Sequence, residues 1–230
     1  MNYPQPGDYI NIHTHGDSPS PGIFVIENLM AQEGVLPSDI KGVAWSFGIH
    51  PWFLNENNHS LLIKSVREIA GNPLLSAIGE AGFDKIKGPE MELQIKTFEE
   101  QVLIAEEYNK PLIIHCVKAW DELLAAHKKL KPSTPWLIHG FHGKKEVAVQ
   151  LLSRGMFISV WYRFALIPES AELIRFIPGD RLFLETDGAD VDIRDIYKKV
   201  SEDLGIGVDA LKSIMFSNYN KLFNIDGADL

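Results

Sequence analysis

PLIIHC, residues 111–116, is an apolar run closed by a histidine, and PWLIHG, residues 135–140, repeats that shape after an amphipathic stretch. Near-continuous apolarity suits strands buried on both faces of a parallel sheet. Residues 120–130, between the two runs, have helical apolar spacing and stop before Pro132. Strand, helix, strand is the repeating unit of an α/β fold. Outward from this unit, similar runs predict strands over residues 8–13, 22–26, 42–47, 74–79, 111–115, 135–139, 156–160 and 181–185. Helices are expected over residues 60–70, 90–108, 120–130 and 144–154, with one or two more over 208–223. In the second of these, Leu93, Phe98, Val102 and Ala105 share one face. Eight strands in 230 residues predict a TIM-type (β/α)8 barrel. No repeat, low-complexity run or composition shift divides it, so residues 1–230 read as a single domain.

Residues 16–41 break the rhythm. They hold Pro19, Pro21 and Pro37 among several Ser and Gly residues, with room for a short helix around residues 27–32. The barrel is therefore expected to be distorted, with its first two βα connections truncated and one strand there poorly formed.

Composition narrows the class. With 22 basic and 31 acidic residues, the formal charge of -9 argues against a general electrostatic grip on DNA, RNA or anionic membranes. It leaves room for a small anionic substrate held by a local metal charge. The single cysteine, Cys116, excludes an internal disulfide and fits a reducing compartment. We expect a cytoplasmic protein with no secretory signal and no run long enough to span a bilayer.

Metal-ligand side chains stand at five strand exits: His13 and His15, Glu80, His115, His139, and Asp187. Imidazole and carboxylate are the ligands that borderline and hard divalent cations prefer. In an extended segment His13 and His15 point to the same side, although His-x-His is also what two polar residues at a strand exit look like. Glu80, in SAIGEAGFD, is flanked by glycines that permit close backbone approach. As a carboxylate ending an apolar strand it must bind metal, hydrogen-bond or form an ion pair. One histidine after an apolar run is ordinarily a hydrogen-bonded core residue; two on consecutive barrel strands favour a shared site, because strand carboxyl ends converge on one face. Asp187 can hold a cation and accept a proton from attacking water, or cap a following helix. Together the six describe a polynuclear metal site. Zinc suits it first, with magnesium, manganese, nickel or iron also compatible, and two divalent ions are expected.

NIHTHG, GIHPW, AIGEAGFD, PLIIHC, LIHGFHG and LETDG occur in the order and approximate spacing of the TatD family, metal-dependent hydrolases related to the amidohydrolase barrels and often described as deoxyribonucleases. The resemblance runs over about residues 9–223 and includes a closing Asn-Lys-Leu-Phe at 220–223. It implies a divalent-metal barrel whose ligands fall on His13, His15, Glu80, His115, His139 and Asp187. Glu80 would bridge two ions, with Glu80 and Asp187 the catalytic carboxylates.

The chain departs from the family where substrate would be held. The stretch between His15 and Gly48 is compressed, and no basic loop follows Asp187. Trp52 stands where a second imidazole is common, Val117-Lys118 where an Arg-Asp pair is frequent, and His142 where a small hydroxyl is usual. His50, Lys118 and His142 are the candidate substrate-binding residues, His50 being expected at the site mouth or as a turn cap. Arg163 is a further cation, and Trp52, Trp161 and Tyr162 can stack on a base or pack at the rim. The expected partner is a small phosphodiester or nucleic-acid substrate, with no membrane and no obligate protein partner. The alternatives are a metal-dependent amide, lactone or ester hydrolase, and a non-catalytic metal-bound scaffold.

Overall fold

The computed structural model describes residues 3–16 and 20–224. In chain order the elements are β1 (Tyr9–Thr14), β2 (Ile23–Met30), β3 (Val43–Gly48), α1 (His59–Ala70), β4 (Leu75–Asp84), α2 (Met91–Glu107), β5 (Leu112–Val117), α3 (Trp120–Leu130), β6 (Trp136–Phe141), α4 (Lys145–Leu152), β7 (Phe157–Val160), α5 (Tyr162–Ala165), α6 (Ala171–Phe176), β8 (Leu182–Leu184), α7 (Ile193–Leu204) and α8 (Val208–Leu222). The strands make one sheet in the order β1 to β8, the strand order of a (β/α)8 barrel. All eight expected strands are present. Contacts gather into two compact units: residues 28–39 and 45–138 form the first, and residues up to 27, 40–44 and from 139 onward the second.

The expected helix around residues 27–32 is a correction. β2 continues through Glu27 and Asn28 to Met30, and a single 3-10 turn, Ala31–Glu33, follows. Polar side chains do not end the strand because each is bonded where it is buried. Glu27 accepts the Gly16 N–H, and Asn28 Oδ1 accepts from the Ser46 hydroxyl at 2.9 Å and the Glu80 N–H at 2.7 Å. The strand in this segment is therefore well formed. Among the described residues the first two connections carry no α-helix, as expected of truncated ones; residues 17–19, Pro19 included, lie outside them. The carboxyl-terminal stretch forms one helix, α8 (Val208–Leu222), and α5 and α6 have no counterpart in the expected elements.

In the first unit Phe83, Phe98 and Trp136 form an aromatic core, with ring centroids 4.7 and 5.3 Å apart. The buried face of α2 includes Gln94 and Gln101 as well as the expected Phe98, Val102 and Ala105, whereas Leu93 is only half-buried. The glutamines serve the strand ends. Gln94 accepts the Asp84 N–H at 2.8 Å and donates to the Asp84 carbonyl at 3.0 Å, and Gln101 accepts the Ile49 N–H at 2.8 Å. They satisfy backbone groups where pairing ends, which buried polar groups require.

At the end of α2, Glu106 accepts from the hydroxyls and backbone N–H groups of Ser133 and Thr134. Burial opposes its charge, but these donors outweigh burial and hold its carboxyl below the ordinary carboxylate range. A carboxyl lowered in the folded state stabilises above its unfolded pKa of about 4.3, and loses that contribution as pH falls through the lower folded value. Glu106→Gln is expected to cost about 1 kcal/mol at pH 7. Urea unfolding of both forms across pH 7 to 3 should show the gap closing below about pH 4.

The second unit ties its two chain ends together. Tyr197 of α7 accepts the Ile10 N–H at 2.9 Å and donates to the Ile10 carbonyl at 3.0 Å, so one phenol satisfies both backbone groups of a β1 residue. Beyond β8, Thr186 N–H donates to Asn11 Oδ1 at 3.0 Å, and Asn11 Nδ2 donates to Thr186 Oγ1 at 2.7 Å. These bonds hold the exits of β1 and β8 side by side.

Candidate metal centre

In the second unit, β1 delivers His13, the bend just past it His15, and the turn after β8 Asp187. His13 is fully buried, while His15 and Asp187 are each a little over one-quarter exposed. Asp187 Oδ1 lies 3.6 Å from His13 Nε2 and 3.7 Å from His15 Nε2. The two imidazoles, one in β1 and one just past its end, stand perpendicular with centroids 4.8 Å apart. The His139 ring lies 4.3 Å from that of His13. Ligand-type atoms of His13, His15 and Asp187 fall within 4.8 Å of one another, as do those of His139, Glu185 and Asp187.

The turn that carries Asp187 is unusual in its backbone. Asp187 has φ +54°, left-handed for a non-glycine, and Gly188 follows at +70°. A Cβ on Gly188 would meet His15 Cβ and O at 3.0 Å, so only glycine lets this turn pass the ligand histidine. Asp187 N–H donates to the His13 carbonyl at 3.2 Å, fixing the turn against β1. Asp187 does not cap the next helix; Asp192 does, accepting the Arg194 N–H at 2.9 Å.

In the first unit, Glu80 lies in β4 and His115 in β5, both buried. Glu80 Oε1 is 2.9 Å from His115 Nδ1 and 3.1 Å from His50 Nε2, and the three offer ligand-type atoms within 4.8 Å of one another. The glycines beside Glu80 matter as expected: a Cβ on Gly79 would lie 2.4 Å from the Ile113 carbonyl oxygen, and one on Gly82 1.9 Å from that of His115. Only glycine lets β4 approach β5 this closely.

His50 corrects the expectation of a residue at the site mouth. It is buried, against Glu80, and also caps its turn: Nδ1 accepts the Trp52 N–H at 3.1 Å. With Nδ1 an acceptor, the neutral ring carries its proton on Nε2, assigned from this bonding, and Nε2 lies 3.1 Å from Glu80 Oε1. His50 thus steadies the carboxylate.

Behind His115 stands Asp84, whose Oδ2 is 3.2 Å from His115 Nε2 and accepts the Trp52 indole N–H at 2.6 Å. Oδ1 accepts from the Ile86 and Lys87 N–H groups at 2.6 and 2.9 Å. Burial works against the Asp84 charge, yet the donors outweigh it and hold its pKa below the ordinary value. Trp52, with Lys87 Nζ 4.0 Å over its ring, is therefore bonded into the back of the cluster rather than free to swing.

The remaining candidates are spread out. Lys118 is exposed just past β5. His142 is exposed, its Nδ1 2.8 Å from the Gly140 carbonyl and its ring 4.9 Å from that of Trp161. Tyr162 lies 5.5 Å from Trp161, and Arg163 donates to the Tyr162 hydroxyl at 2.8 Å. Cys116 is half-buried, and burial raises its thiol pKa. Asp84 and Glu185, both buried beside a candidate ligand, are absent from the expected set. Each ends an apolar run, the criterion that selects Glu80, so the signal was in the sequence.

The donor set fits divalent ions: every cluster mixes imidazole with carboxylate, and each is pinned by hydrogen bonds from its own unit. Comparison with known proteins agrees. The family model described as TatD related DNase matches residues 36–224, with His13 and His15 preceding the matched span. The chain is 30% identical over 214 residues to the uncharacterized metal-dependent hydrolase YcfH of Escherichia coli strain K12, covering 85% of this chain and 79% of that protein. It is 33% identical over 174 residues to the 3'-5' ssDNA/RNA exonuclease TatD of Erwinia billingiae, covering 72% of this chain and 65% of that one. The crystal structure of YJJV, a TatD homolog from Escherichia coli K12, superposes with a TM-score of 0.81 at 21% identity over 96% of this chain and 99% of that one, so the two share a fold. With its family motifs in order and its ligand-type side chains gathered at strand exits, the chain belongs to the TatD-related DNase family.

Proposed function

We propose that this chain is a metal-dependent hydrolase that cleaves phosphodiester bonds of single-stranded nucleic acid, using two divalent ions with zinc the first choice. The observation that carries this reading is the pair of imidazole–carboxylate clusters at strand exits in a TatD-family chain. One ion is assigned to His13, His15 and Asp187, with His139 an expected ligand of the same unit, and the other to Glu80 and His115. When bound, such ions polarise a phosphoryl oxygen and lower the pKa of water.

The chain's own groups do the rest. Asp187, partly exposed, is the group that can orient and deprotonate an incoming water. His50 steadies Glu80 from the buried side. Substrate falls to solvent-reaching groups: in the second unit, exposed His142 and Arg163 with half-buried Trp161 and Tyr162 offer stacking surfaces beside a cation, which suits unpaired bases and phosphate, and Lys118 is an exposed cation of the first. Few cations are offered, consistent with local recognition of a strand end rather than a long electrostatic track. A cytoplasmic location belongs to this reading; among the described residues no helix is long and apolar enough to cross a membrane.

Elemental analysis of the purified protein, paired with a 3′-labelled single-stranded oligonucleotide, tests the proposal. Chelation should reduce cleavage to background, and zinc or manganese should restore it. Cleavage of lactone or amide substrates with none of the oligonucleotide would move the chain to the alternative hydrolase class. Failure to take up any divalent ion would end the metal reading itself.

A further inference from the structure

Glu185 has no part in the roles described so far. It follows β8, is completely buried, and belongs to the second unit. Its Oε1 accepts the Gly140 N–H at 2.6 Å and lies 3.5 Å from His139 Nδ1. Its Oε2 is also buried and, among the described residues, has no hydrogen-bond partner. A carboxylate oxygen taken out of water without a donor is costly, and native structures leave few such atoms unmatched.

Asp84 makes the contrast. It stands beside His115 much as Glu185 stands beside His139, but both of its oxygens are saturated by N–H donors. Asp84 needs nothing further. Glu185 has half its bonding capacity open, in a setting where ligand-type atoms of His139 and Asp187 lie within 4.8 Å of its own. A cation among these groups would compensate it.

We propose that Glu185 is a positioning residue of the metal centre, placing its carboxylate 3.5 Å from His139 Nδ1 and balancing the charge of a cation held by the second unit's histidines and Asp187. The inference rests on the metal reading above and adds to it a residue outside the expected ligands. Carboxylates placed behind a ligand histidine fix its orientation and raise its basicity, and losing one weakens metal binding by about 10- to 100-fold.

Glu185→Gln keeps the acceptor for the Gly140 N–H and removes the charge. Zinc affinity, measured by competition with a chromophoric chelator, should fall by about 10- to 100-fold. The thermal midpoint of the metal-free variant should equal or exceed that of metal-free wild type, because an uncompensated buried charge has gone. Glu185→Asp, which keeps the charge, should bind more tightly than Glu185→Gln. The proposal is overturned by unchanged affinity in Glu185→Gln, by equal losses in the two variants, or by a clear drop in the metal-free midpoint of Glu185→Gln. Absence of zinc binding by wild type would overturn the metal reading, and with it this role for Glu185, an outcome distinct from a wild type that binds and a variant that is unchanged.

Discussion

Asp187→Asn is expected to lower kcat by at least about 10³-fold, the loss associated with a positioned acid or base, with metal binding also weakened. The fold should survive. Asp187 occupies the left-handed backbone region, and asparagine is among the side chains best tolerated there. Its amide oxygen can still face His13 and His15, and its N–H bond to the His13 carbonyl is untouched. Unfolding free energy should therefore stay within about 0.5 kcal/mol of wild type. Single-turnover cleavage of a labelled oligonucleotide, beside a urea melt, makes the comparison. A variant that keeps most of its rate would take Asp187 out of the mechanism.

Gly82→Ala should act in the opposite way, through the scaffold. At φ +149° the residue holds a conformation that side chains rarely adopt, and a Cβ would stand 1.9 Å from the His115 carbonyl oxygen. Gly82 pairs directly with His115 across β4 and β5, so the obstacle is a bonded backbone rather than a movable side chain. Backbone strain and overpacking of about 1–3 kcal/mol each predict a loss of about 3 kcal/mol or more. The shift falls on His115 itself, so metal affinity should drop as well. A loss below about 1 kcal/mol in urea unfolding would mean that the two strands separate more easily than their pairing implies.

The strand exits were legible because a buried parallel strand is an uninterrupted apolar run, and a charged residue closing it has no ordinary packing role. That logic selects His13, Glu80, His115, His139 and Asp187, and it extends to Asp84 and Glu185, where the criterion was not carried through. Other features depend on partners far along the chain. Gln94 and Gln101 look like surface glutamines until the strand ends they serve are known. Glu27 and Asn28 look like the start of a helix, because nothing local reveals that Gly16, Ser46 and Glu80 bond to them. His50 follows the same rule: burial comes from Glu80, thirty residues later, while its turn-capping role was readable from His-Pro alone.

The Tyr197 phenol has a consequence for biogenesis. Its two bonds to Ile10 join residues 187 positions apart, and the Asn11–Thr186 bonds span 175. Non-local pairings of this kind form late, after the intervening chain has closed a large loop. A nascent chain leaving the ribosome would thus carry His13 and His15 at the exit of a first strand that can pair with β2 but lacks its tie to Tyr197 until α7 emerges. Competence to capture an ion there arrives only once α7 has emerged, and a product stopped short of Tyr197 should remain without it.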